Sequence, residues 1–232
     1  PPRSTLSSSS AASDVYKRQA RLYGYDNIGR DEDRRSSLFS ELSAGDMRND
    51  ELCDRLAARG LAEVITTSFM DPADPGRFEW GDDDPRSHPV KISNPLTVAQ
   101  SAMRTSLLPG MLRVIQRNAP VEREGMRIFE LAKVFLEKEE GSGLPLEELH
   151  LTAMFTRKSF PLNWHDKQRD FDFFDMKGEA ESVLEWLGAP EDIVMTRRKS
   201  DEPDFTFEWT TRNGLAGLCG MIPGRIAARF DI

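Results

Sequence analysis

The run RIFELAKVF, from Arg127 to Phe135, limits the possible folds more than any other segment. Beyond Arg127 it is apolar on both alternating faces apart from Glu130 and Lys133. Successive side chains of a strand point to opposite faces, so this strand must be covered on both sides. Helices to cover it are legible nearby. From Leu108, the residues Met111, Leu112, Ile115 and Ala119 recur at helical spacing, with Pro109 in the first turn, where no amide donor is required. From Asp46 to Gly60, Leu52, Leu56 and Ala57 share one side with Cys53 beside them, and Gly60 suits the C-terminus. In FDFFDMKGEAESVLEWLG a third helix places Met176, Ala180, Val183, Leu184 and Leu187 on one face and turns Lys177, Glu179, Glu181 and Glu185 away. Asp175 is the expected cap at its start and Gly188 at its end.

Further strands are expected at EVITTSFM, PVKIS, LHLTAMFTR, IVMTRR, FTFEWTT and GLAGLCGMI. Helices and strands mix without strict alternation, which points to an α+β domain with a largely antiparallel sheet. The 232 residues suit one main core. Residues 1–19, Ser-rich and without apolar period, are expected to be non-native and disordered. ARLYGYDNI and the charged connector after it, residues 20–35, end a preceding module. Residues 36–232 form the core domain, expected to be truncated at its C-terminus.

A net charge of -8 argues against a general grip on nucleic acid. No apolar run approaches the roughly 20 residues that span a bilayer. Cys53 and Cys219 stand far apart and match no metal spacing, the pattern of small buried residues in a reducing compartment, hence a cytoplasmic setting. His88, His150 and His165 are scattered. GDDDPRSH reads as a solvated loop, because adjacent carboxylates repel unless a cation lies between them. Arg197, Arg198 and Lys199 form a small basic cluster that could touch RNA or simply face solvent.

The densest motif is NPLTVAQSAMRTSLLPGMLRVIQRN. With RLYGYDNI, GLAEVITTSFM, IFELAKVF, the pair Asn163-Trp164 and FDFFDMKG in this order, it resembles the beta subunit of bacterial phenylalanyl-tRNA synthetase. The resemblance runs from residue 20 to about 188. It marks Asn94, Pro95, Met103, Arg104, Leu107, Leu108, Pro109, Gly110, Asn118, Phe129, Glu130, Phe174, Asp175, Lys177 and Gly178 as the family's core positions, structural or interfacial. It implies a fold like the class II aminoacyl-tRNA synthetase catalytic domain, an antiparallel sheet flanked by helices, without the active site.

The residues permit a test of that last expectation. Adenylate formation needs fixed cations where charge develops on ATP. Arg127 and Glu130 are three apart, which in a strand sends them to opposite faces. The stretch with Gly214, Gly217 and Gly220 has no terminal Arg and no P-loop Lys, and reads as a closely packed strand. Arg104 could hold a carboxylate across an interface or within the domain. The family's late His-Pro-Gly-Arg and Leu-His-Pro segments are replaced by DFTFEWTTRNG and GMIPGRIAARFDI, and the positions of its acidic magnesium ligands fall in YKRQ.

The resemblance therefore implies a non-catalytic domain, with no metal or cofactor on this chain. It would pack on a catalytic alpha subunit in an (αβ)₂ heterotetramer, a ligase of protein biosynthesis that charges tRNA(Phe) using ATP and magnesium. The exposed sides of the first helix and the 107 to 119 helix are candidate contacts. Two other readings are an autonomous class II ATP-dependent ligase and a direct tRNA-binding module.

Overall fold

The computed structural model describes residues 8–29, 43–122, 125–138, 144–156, 164–165, 169–188, 193–197, 206–211 and 214–232. Two units divide the chain, residues 1–42 and 43–232. In the first, α1 (Ser8–Tyr23) precedes a 3-10 turn at Tyr25–Asn27. Residues 8–19 are thus helical where no structure was expected. No Gly or Pro interrupts them, and Ala11, Ala12, Lys17, Arg18 and Gln19 are good helix formers, a local preference that outlasts the lack of an apolar stripe. Gly24, at φ 88, ends the helix. The expected boundary near Ser36 lies outside the described residues.

The second unit begins where the Ser43 hydroxyl accepts the Asp46 N–H at 3.1 Å, capping α2 (Ala44–Ala58). Gly60, at φ 87, releases the chain after it. Strand β1 (Ala62–Glu63) pairs in parallel with β4 (Arg127–Leu136), which pairs antiparallel with β5 (Leu146–Phe155). A separate ladder joins β2 (Phe69–Met70) to β3 (Ala102–Met103), and a third sheet has the antiparallel order β6 (Val194–Arg197), β7 (Thr206–Thr211), β8 (Gly214–Gly220). Three further helices are α3 (Asp74–Arg77), α4 (Leu108–Asn118) and α5 (Phe173–Trp186), and α6 (Gly224–Ala228) lies near the end. The fold is α+β; among the described residues the strands are mostly antiparallel, spread over three sheets with one parallel pair.

Both faces of β4 are covered. Ile128 and Val134 meet Met111, Leu112 and Ile115 of α4, together with Phe78, Ile226 and Phe230. Phe129 and Leu131, of opposite parity, meet Leu52, Leu56 and Leu61, with Val183 and Trp186 of α5 alongside.

Four local expectations are corrected. The segment EVITTSFM is two short strands in two sheets, because at Thr66 a side-chain carboxylate replaces the neighbouring strand as the amide's acceptor. PVKIS makes one isolated bridge, Lys91 to Ala102, since β3 is too short to extend it. Asp172, not Asp175, caps α5; Asp175 is the third helical residue and returns its carboxylate to the Asp172 N–H at 2.9 Å, completing a capping box. On α5, Val183 and Trp186 reach the core while Leu187 is exposed, and Glu179 faces inward to pair with Arg59 of α2. Trp186 takes that place because Arg48 and Arg55 of α2 cover its ring, 5.8 and 5.1 Å from its centre.

Candidate functional site

Strand parity turns Glu130 toward α4, where it is 2% exposed. A carboxylate taken out of water at that depth needs several donors. It has three: the Arg104 guanidinium at 2.9 Å, the Thr66 amide at 3.0 Å and the Thr66 hydroxyl at 2.8 Å. Arg104 is equally occupied. It donates through Nε to the Lys133 carbonyl at 2.8 Å and through Nη1 to the Thr66 hydroxyl oxygen at 3.0 Å. Its amide donates to the Ser68 carbonyl, and its own carbonyl accepts the Phe135 amide, both at 2.9 Å.

The residues that follow fix this arrangement. Thr105 donates its hydroxyl to the Arg86 carbonyl at 2.8 Å, and the Ser106 hydroxyl accepts the Leu108 amide as α4 begins. Leu107 and Pro109 are buried. Gly110 permits a close approach: a Cβ there would stand 2.7 Å from the Thr66 hydroxyl oxygen and 2.9 Å from its Cβ. Arg104 thus holds a carboxylate within its own domain, which settles the choice left by the sequence. The guanidinium itself is held by two segments of its own chain, Thr66–Thr67 and β4. Arg127 lies on the opposite face of β4, over the ring of Phe171.

The family positions separate into groups. Arg104, Leu107, Pro109, Gly110 and Glu130 are brought together, with Met103 paired to Phe69 beside them and Phe129 buried on the other face. Leu108 is packed against the core from the first turn of α4, and Asn118 closes that helix by donating to the Val114 carbonyl at 2.8 Å. Asn94 and Pro95 stand in an exposed turn. Phe174 is exposed, Lys177 pairs with Glu181, Gly178 has open space around it, and Asp175 is held below the usual aspartate range by Arg169. That group does not join the first. Asn163, Arg198 and Lys199 lie outside the described residues.

Sequence reasoning missed Thr66 as a member of the network, and missed Asp74. The Asp74 carboxylate is fully buried, accepts from Arg113 at 2.6 Å, and has one oxygen without a hydrogen-bond partner among the described residues. Arg113 and Arg77 both cover Phe230, at 5.6 and 5.4 Å. The signal was available only as an acid in a turn, DPADPG, with Arg77 three residues on at 3.8 Å and the closer partner, Arg113, far along the chain.

Other chemistry is sparse. Among the described residues no three His, Cys, Asp or Glu stand where they could hold a metal ion. Burial pushes the Cys219 thiol up to about 11 and raises Cys53 as well, so neither is a ready thiolate. His88 contacts the Asp82 carbonyl, His150 pairs with Glu148, and His165 meets the edge of Trp164. In the Gly-rich strand, the Trp209 ring lies 3.7 Å from where a Gly217 Cβ would be. GDDDPRSH is less solvated than expected: Asp84 and Arg86 pair at 2.6 Å, half-buried, with Arg86 over the Trp80 ring.

Residues 36–232 match the family described as the phenylalanyl tRNA synthetase beta chain CLM domain. A phenylalanine–tRNA ligase beta subunit from Geobacter sulfurreducens is 38% identical over 74% of the chain and 21% of its own length. The one from Syntrophotalea carbinolica is 32% identical over 94% of the chain and 27% of its own length. The chain thus spans about a quarter or less of these relatives. A pyrrolysyl-tRNA synthetase structure from Desulfitobacterium hafniense shares the fold, with a TM-score of 0.61 at 15% identity, over 96% of this chain and 68% of that one. No helix among the described residues is long and apolar enough to cross a membrane.

Proposed function

This chain belongs to the phenylalanyl-tRNA synthetase beta chain family, and from that premise we propose that it is a non-catalytic core domain packing against a catalytic alpha subunit. The assembly, an (αβ)₂ heterotetramer in the cytoplasm, would charge tRNA(Phe) with phenylalanine using ATP and magnesium bound elsewhere in the complex. The class II arrangement of the sheet belongs to the same proposal.

One observation carries the non-catalytic part. In this synthetase-like fold, the arginine of the MRTSLLPG motif is spent on Glu130, Thr66 and Lys133 of its own chain. Arg127 and Glu130, on opposite faces of β4, do not converge on one ligand. The domain's charged residues hold its own segments together. No step of amino-acid activation is assigned to them.

The test is co-purification of the chain with a bacterial phenylalanine–tRNA ligase alpha subunit, with ATP–pyrophosphate exchange measured for each chain alone and mixed. A stable complex, with exchange only where alpha is present, is the expected result. Exchange by this chain alone would establish the autonomous ligase instead. Tight tRNA binding by this chain alone, falling steeply with salt, would establish the RNA-binding module.

A further inference from the structure

Two polar groups in the first turns after β2 face each other without meeting. Asp74, at the start of α3, is fully buried; its Oδ1 accepts from Arg113 Nη2 at 2.6 Å, and its Oδ2 has no hydrogen-bond partner among the described residues. Arg77, three residues on, donates no side-chain hydrogen bond among the described residues, and its Nε stands 3.8 Å from Oδ1. That separation is too long for a hydrogen bond. An acceptor that needs a donor therefore lies beside a donor that needs an acceptor.

The surrounding chain has little left to give. The Ala73 amide donates to Asp71 Oδ1, the Asp74 amide to the Asp71 carbonyl and the Phe78 amide to the Pro75 carbonyl, while Pro75 has no N–H. Arg77 is anchored as well. Its carbonyl accepts from Arg229 Nη1 at 2.8 Å, and its guanidinium lies over the Phe230 ring, 5.4 Å from the centre. A direct bond from Arg77 to Oδ2 competes with that stacking.

Charge decides what fits between them. A metal cation would compete with Arg113 for the carboxylate, and among the described residues no further His, Cys, Asp or Glu completes a ligand set. An anion would meet the buried carboxylate itself. A small neutral molecule that both donates and accepts remains. Buried polar atoms without a protein partner are commonly satisfied by ordered water, and polar groups held beyond about 3.5 Å are often bridged by one.

We infer that Asp74 and Arg77 bind one buried water, which donates to Asp74 Oδ2 and accepts from the Arg77 guanidinium. The water completes a polar joint between α3, α4 and the C-terminal segment, with Arg113 on the other carboxylate oxygen and Phe230 beneath both guanidiniums. The side chains of Arg77 and Arg113 are 38% and 39% exposed, so they roof the site, and a swing of Arg77 is its way in.

A high-resolution crystal structure of the full chain tests this directly. One water should lie about 2.5–3.2 Å from both Asp74 Oδ2 and an Arg77 nitrogen. Arg77 bonded straight to Oδ2, a cation ringed by oxygens, or no density between the two groups would overturn the inference. Magnetic relaxation dispersion of water reads the same site in solution, by counting long-lived waters. Asp74→Leu combined with Arg113→Leu removes both charges together and leaves neither buried alone. The count should fall by one in that chain, and an unchanged count would also overturn the inference. Should the double variant fail to fold, the crystal structure of the unaltered chain decides alone.

Discussion

The MRTSLLPG region and the FDFFDMKG region both belong to the family's core positions, and both are rich in ion pairs. Around β4 the pair Arg104–Glu130 is 7% and 2% exposed at its side chains, and each group has several partners. On α5 no residue is fully buried, and the pairs Arg169–Asp175 and Lys177–Glu181 lie at the surface. Motif density in the sequence is similar in the two; burial is not. Water screens the second set and leaves the first dependent on its own geometry.

That contrast predicts a gradient of effects. Glu130→Ala should be the most damaging change, costing about 3–5 kcal/mol because Arg104 is left buried without its counter-charge; urea unfolding reads it, and a loss comparable to a surface pair would abolish the distinction. Next comes Gly110→Ala, whose methyl meets Thr66 and must displace it, at about 1–3 kcal/mol by the same assay. Asp172→Ala removes the cap of α5 and should cost about 1 kcal/mol, with increased amide exchange at Phe174 and Asp175, the two residues it caps.

The smallest effect is a pH dependence. Arg169, through its hydrogen bond, holds Asp175 below the ordinary aspartate range, so the carboxylate stabilises the folded chain above the unfolded pKa. That contribution disappears as pH falls through the lowered folded pKa. An NMR titration should place the Asp175 midpoint below that of a free aspartate, and Arg169→Gln should raise it.

Legibility in the sequence followed the same line. The apolar stripe Met111, Leu112, Ile115 and the two-sided run at Ile128 to Val134 were readable because periodicity reports burial directly. Thr66 was read as part of one strand, since Thr and Val content favours extension whichever partner fills the edge. The acceptor that ends β1 comes from a residue 64 positions later, beyond any local pattern. Asp175 reads as a cap because it is an acid at the start of an apolar period; Asp172 is one too, and only the backbone angles separate cap from third residue. Arg104 was marked as important, but nothing in its neighbourhood named Glu130.

The carboxylate that stands in for a neighbouring strand at Thr66 also bears on descent. Arg104 and Glu130 are 26 positions apart, and losing either strands the other in a dry interior. Lineages should therefore keep the two or replace them as a pair by apolar residues of matching volume. A sequence that has exchanged only Glu130 will have found a new acceptor for the Thr66 amide.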